Sequence, residues 1–154
     1  MRSLSPVFLV AATIILVGQV AVATDLCANA DYKPLCSSLV KGIGNAAAAT
    51  ESIIQNLITQ TNHAKSQASR LEKDQKLDVC IENYDLAIDS LNKALKAYKG
   101  GDKYTGDINL SAAIASYSTC EDTFDEFNVA SPLKKKDNLM EQTAATGLTV
   151  AKLT

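Results

Sequence analysis

Tryptophan is absent and histidine occurs once, at His63, in a chain of 154 residues. Metal centres and acid–base sites draw heavily on histidine, so many common enzyme chemistries lose their usual reagent. There are three prolines, and the seven glycines are scattered. They form neither a phosphate-binding fingerprint nor a Gly-x-Ser-x-Gly nucleophile turn. Neither sign of charge is in great excess. Fifteen basic and 17 acidic side chains leave a net charge of −2, with no basic surplus to neutralise nucleic-acid phosphates. Strand signals are nearly absent as well. What is present is 47% hydrophobic and 21% charged residues, the composition of a single globular domain.

One apolar run stands apart. After Arg2, the eleven residues Val7 to Val17 carry no charge, and Ala21-Val22-Ala23 has small residues at both A-x-A positions. This is the pattern of a cleaved secretory signal over residues 1–23, too short in its apolar part to span a bilayer. The mature domain, residues 24–154, is therefore expected to be secreted and to have no membrane segment.

Secretion decides how the cysteines read. Cys27, Cys36, Cys80 and Cys120 are an even set in an oxidising route, and none forms Cys-x-x-Cys. Apolar residues Leu77, Ile81, Tyr84, Ile88, Leu91, Leu95 and Tyr98 recur at helical spacing, widened by Ala87 and Ala94. Gly100-Gly101 ends that helix. A second stripe holds Leu110, Ala113, Ile114, Tyr117, Phe124 and Phe127. Cys80 and Cys120 each lie 20 residues from Gly100. Folded back antiparallel, both stand roughly 30 Å from the turn, which is the geometry of a Cys80–Cys120 bridge. Cys27 and Cys36 remain, and they close a short segment around Tyr32-Lys33-Pro34.

Two further helices complete the set. Residues 45–71 carry Ala46, Thr50, Ile53, Ile54, Leu57, Ile58, Ala64, Ala68 and Leu71 on one side. Near the C-terminus, Ser131 as N-cap and Pro132 at the first helical position precede a stripe of Leu133, Met140, Ala144, Leu148 and Ala151. Leu71 to Lys76 reads as a solvated connection. The expectation is all-α: an up-down-up-down four-helix bundle with an N-terminal disulfide-closed helical hairpin at residues 24–43.

The search for reactive groups yields little. His63 has no activated partner and reads as a surface side chain. Glu82, Asp85 and Asp89 share one helical side, which suits the polar face of a bundle helix better than a pair of glycosidase carboxylates. Lys134-Lys135-Lys136 reads as an exposed first turn. Asn109-Leu110-Ser111 is a glycosylation sequon, which the export signal makes usable. The chain is not expected to be an enzyme or to carry a cofactor.

Three stretches then resemble the plant invertase and pectin methylesterase inhibitor family. They are Cys27-x8-Cys36 enclosing Tyr32 and Pro34, Cys80-Ile81-Glu82-Asn83-Tyr84-Asp85 and its continuation to Leu91, and Leu110-Ser111-Ala112-Ala113-Ile114 followed by Thr119-Cys120-Glu121-Asp122-Thr123-Phe124. The resemblance covers essentially all of the mature chain. It implies a four-helix bundle with a hairpin extension and the same two disulfides. It also implies stoichiometric occlusion of a pectin methylesterase or an acid invertase, in the cell wall or vacuole. Some pollen members are known chiefly as allergens, and a non-inhibitory bundle or small-ligand carrier is the rival class. In the family's invertase inhibitors a Pro-Lys-Phe segment enters the sugar site. The matching place here reads Asp102-Lys103-Tyr104, without the proline and its fixed backbone angle, and resembles the pectin methylesterase branch more. Lys103 and Tyr104, with Asp107 and Asn109, are the expected partner contacts, and a glycan on Asn109 would exclude that residue from the contact.

Overall fold

Asn45, Asp74 and Asp102 each turn a side-chain oxygen onto the first turn of a helix. They accept from the backbone N–H of Ala48 at 2.8 Å, Lys76 at 2.9 Å and Thr105 at 3.0 Å, satisfying donors that the helix leaves free. In the computed structural model, which describes residues 25–154, a short α1 (Lys33–Leu39) precedes the three helices so capped. These are α2 (Ala46–Ala68), α3 (Gln75–Lys99) and α4 (Lys103–Glu126), and α5 (Lys134–Ala151) follows. No strand occurs among the described residues. The expected signal, residues 1–23, lies outside them.

Each long helix packs on two others in a ring: α2 on α3 and α5, and α4 on α3 and α5, while α1 rests on α5 and α2. Short connections reverse the chain each time, so the bundle runs up-down-up-down. Its centre mixes large side chains (Ile53, Ile54, Leu57, Leu91, Leu110, Met140, Val150) with Ala49, Ala64, Ala87, Ala94, Ala113 and Ala144, all fully or almost fully buried. The alanines let the helix axes approach while the branched residues fill the space between them. Two tyrosines cross this core with ring centroids 6.5 Å apart. The Tyr84 hydroxyl donates to Asp137 Oδ1 at 2.7 Å, and the Tyr117 hydroxyl meets Thr61 Oγ1 at 2.6 Å. Leaving either hydroxyl buried without a partner would cost about 1–3 kcal/mol.

Disulfides join Cys80 to Cys120, with Cα atoms 4.5 Å apart, and Cys27 to Cys36, 5.8 Å apart. By loop-closure entropy the long bridge contributes about 4 kcal/mol and the short one about 2.5 kcal/mol. The first ties α3 to α4 far from their turn. The second folds the N-terminal arm onto the bundle, burying Leu26, Cys27 and Ala30.

Several local expectations are corrected. Phe127 is 62% exposed, not part of the core stripe. It is the C-cap of α4, because Asn128 takes a left-handed φ of 53° and the N–H of Val129 bonds back to Phe124 O at 3.1 Å. Leu71 lies past the end of α2 and is exposed. Ser131 and Pro132 do not open the last helix. Ser131 Oγ accepts from Leu133 N–H at 3.1 Å, so it caps a preceding turn, which carries Leu133 into the core before α5 begins. The arm before α1 is a set of turns, with Asp25 Oδ1 accepting from Cys27 N–H at 3.0 Å, so within the expected hairpin at residues 24–43 only α1 is helical. Gln75 and Lys76, read as linker, already belong to α3.

Candidate partner-binding surface

The connection between α3 and α4 is three residues long and held on both sides. Gly101 adopts a φ of 77°, the left-handed conformation that glycine tolerates. Its N–H bonds to Tyr98 O at 3.0 Å, and the N–H of Asp102 to Ala97 O at 2.9 Å. This paired pattern is a Schellman C-cap. Asp102 then caps α4 at once, and hydrogen bonds from Thr105, side chain first and backbone second, hold its carboxyl below the usual range. Hydrogen bonds on both sides thus constrain the turn where the proline is missing.

Across the turn, the Tyr98 hydroxyl donates to Asp107 Oδ1 at 2.6 Å. Burial, reinforced by that carboxylate, pushes the phenol well above its ordinary range. The Tyr98 ring lies where a side chain on Gly106 would stand: a Cβ there would come within 2.7 Å of it. Only glycine lets α4 pass so close to the ring.

The four expected contact residues do not share one face. Tyr104 is 77% exposed. Lys103 is half-buried and lines a groove of about 420 Å³ with Glu51, Tyr98 and Gly101. Asn109 is half-buried in a second groove, of about 350 Å³, with Lys93, Lys96 and Thr105, and its amide donates to Thr105 O at 2.9 Å. Asp107 is engaged by Tyr98. Absent from the expected set was Ile108, 51% exposed and one turn beyond Tyr104. The signal was available, since Ile108 falls outside the stripe marked by Leu110, Ala113 and Tyr117.

From Tyr104 the outer face of α4 continues through Ile108, Ser111, Ala115 and Thr119, all exposed and none charged. Such a surface is cheap to desolvate, because no ion leaves water. The remaining candidates are solvated. Glu82, Asp85 and Asp89 are exposed; Asp85 pairs with Lys65 and Asp89 with Lys93, both at 2.6 Å. His63 is exposed on α2, and Lys134 to Lys136 form the exposed start of α5. The ligand atoms of Cys120, Glu121 and Asp137 come within 4.8 Å of one another. The sulfur is already in a disulfide, and two carboxylates are too few for a metal cage.

The profile of a family described as plant invertase/pectin methylesterase inhibitor matches residues 21–150. A pectinesterase inhibitor of Actinidia deliciosa is 30% identical over 127 residues, 82% of this chain and 65% of its own length. Pectinesterase inhibitor 12 of Arabidopsis thaliana is 30% identical over 106 residues, 69% of this chain and 59% of its own. The chain thus spans less than two thirds of either relative. Among solved structures, mutant form A of a pectin methylesterase inhibitor from Arabidopsis superposes with a TM-score of 0.75, covering 85% of this chain and 95% of its own. A pectin methylesterase inhibitor from Arabidopsis thaliana gives 0.66, covering 79% and 85%. Identity is 14% in both cases, so this likeness is one of fold.

Proposed function

Because the chain belongs to the plant invertase/pectin methylesterase inhibitor family, we propose that it is a protein inhibitor of a pectin methylesterase, blocking the catalytic cleft by steric occlusion. The observation that supports this is the outer face of α4: an uncharged stripe with Tyr104 and Ile108 exposed at its start. An occluding protein needs a stiff surface rather than a reactive group, since ordering flexible elements on docking consumes affinity. The capped turn, the Tyr98–Asp107 bond and the Cys80–Cys120 bridge supply that stiffness. A few exposed anchors then carry most of the binding energy, and Tyr104 is the first of them, with Lys103 beside it. Asp107 acts through Tyr98, as a positioning residue. Asn109 is either a glycan acceptor or a contact, not both.

Acid invertase is the second reading, and one observation favours it. The Schellman cap and Asp102 fix the backbone that leads into Lys103-Tyr104, at the place where the family's invertase inhibitors present Pro-Lys-Phe. Secretion to the cell wall, or to the vacuole, rests on the signal expected at residues 1–23.

The oxidised mature protein titrated against a plant pectin methylesterase and an acid invertase tests both readings. Activity of the esterase is expected to fall linearly to a 1:1 equivalence point while the invertase stays active. Loss of invertase activity instead would exchange the target. Full activity of both enzymes across a broad panel would overturn the inhibitor reading.

A further inference from the structure

Two acids lie inside the bundle with no base to answer them. Asp137, in the first turn of α5, is fully buried, and Glu121 on α4 is only 8% exposed. Asp137 Oδ1 accepts the Tyr84 hydroxyl, but Asp137 Oδ2 and both Glu121 oxygens are buried without any hydrogen-bond partner. Oxygens of the two carboxyls lie within 4.8 Å of each other. The ion pairs among the described residues all lie elsewhere. The groups bearing on Asp137 are Tyr84 from α3, Tyr117 and Glu121 from α4 and Glu141 from α5, every one neutral or acidic. Glu141 is itself engaged, accepting from the Ser118 hydroxyl at 2.9 Å. From α2 the Thr61 hydroxyl meets the Tyr117 hydroxyl, and a threonine does not titrate.

Two carboxylates within 4.8 Å of each other and out of water cannot both stay ionised. We propose that Glu121 and Asp137 share one proton, and that this proton is a pH-sensitive lock fastening α5 to α4. With the proton on Asp137 Oδ2, donated toward Glu121, one orphaned oxygen becomes a donor and another gains its partner. Tyr84 completes the chain from α3. The lock sits at the level of the Cys80–Cys120 bridge, which already ties α3 to α4, so what the proton adds is the attachment of α5. Burial, with Glu121 alongside, raises the Asp137 carboxyl to about 8, and the Tyr84 hydrogen bond only partly offsets it. The folded chain therefore keeps a proton between about pH 4 and 8 that the unfolded chain has lost. Stability is greatest in acid and declines as pH rises through that window.

This inference concerns stability and stands apart from the inhibitor reading, so its test involves no target enzyme. Urea unfolding of the oxidised mature chain is followed at pH 5 and pH 8. Wild type is expected to unfold more readily at pH 8, with an unfolding constant at least about tenfold larger than at pH 5. The Asp137→Asn variant keeps an acceptor for Tyr84 and an N–H for Glu121 yet cannot ionise, and its midpoint is expected to be nearly independent of pH. Glu121→Gln removes the neighbouring charge but leaves Asp137 buried, so it should reduce the slope without abolishing it, which keeps the test open if Asp137→Asn fails to fold. A flat wild-type profile, or one slope shared by wild type and both variants, overturns the proposal. So does a midpoint that rises with pH or with added calcium chloride, which would mean that the pair holds a cation.

Discussion

Helices α3 and α4 are antiparallel neighbours joined by one turn and one disulfide, with similar inner stripes, yet their outer faces differ. Along α3 the exposed positions Asp78, Glu82, Asp85, Asp89, Lys93, Lys96 and Lys99 place a charge on nearly every turn. Several of these pair with α2 or within the helix: Asp85 with Lys65, Asp89 with Lys93, and Lys99 with Glu51 at 3.8 Å. Along α4 the exposed stretch from Tyr104 to Thr119 carries no charge. Burial constrains only the inner positions of an amphipathic helix. The outer ones are free to vary with their surroundings, and the proposal that α4 carries the partner contact rests on this asymmetry.

The comparison breaks most severely if a charge is placed in the middle of the uncharged face. Ala115→Lys would bury an unpaired ammonium in the complex, a cost of about 3–5 kcal/mol. Inhibition is expected to weaken by roughly two to four orders of magnitude, while the melting temperature of the free protein, in which Ala115 is exposed, stays put. Undiminished inhibition would remove α4 from the contact. Next in size, Tyr104→Ala removes an exposed aromatic anchor, a loss of about 2 kcal/mol in binding, or roughly 30-fold in inhibition constant. Circular dichroism should show an unaltered fold. Smallest is the control on the opposite helix. Asp89→Asn abolishes the exposed pair with Lys93 and should change urea stability by no more than about 0.5 kcal/mol. Its inhibition should match wild type within about twofold; a larger loss would move the contact onto α3.

Much of this layout can be read along the chain, for a definite reason. Leu77, Tyr84, Leu91 and their companions recur at helical spacing because one side of α3 must leave water, and that requirement is written position by position. The Schellman turn was visible as Gly100-Gly101, since the positive φ demands glycine. Phe127 shows where periodicity stops helping. The stripe continues into it, but the helix ends at Glu126 because the left-handed Asn128 caps it, and nothing in an apolar spacing encodes that stop. Glu121 and Asp137 are the opposite case. Glu121 falls four residues after Tyr117 and three before Phe124, and Asp137 four after Leu133 and three before Met140. Both acids thus stand on the apolar stripes. The signal was there, but a lone acid on a stripe does not say which other acid it will meet.

Spacing, the Gly100-Gly101 stop and cysteine positions along the chain were enough to specify four long helices, most of their inward sides and the bridge at equal distance from the α3–α4 turn, because each is settled by local geometry and by what must be hidden from water. Which carboxyl faces which, why Asp107 is held by Tyr98, and that Tyr104 and Ile108 stand out while Lys103 and Asn109 turn into separate grooves depend on the rotation and offset of one helix against the next. Those are set jointly by side chains far apart in the chain, and only the packed bundle decides them.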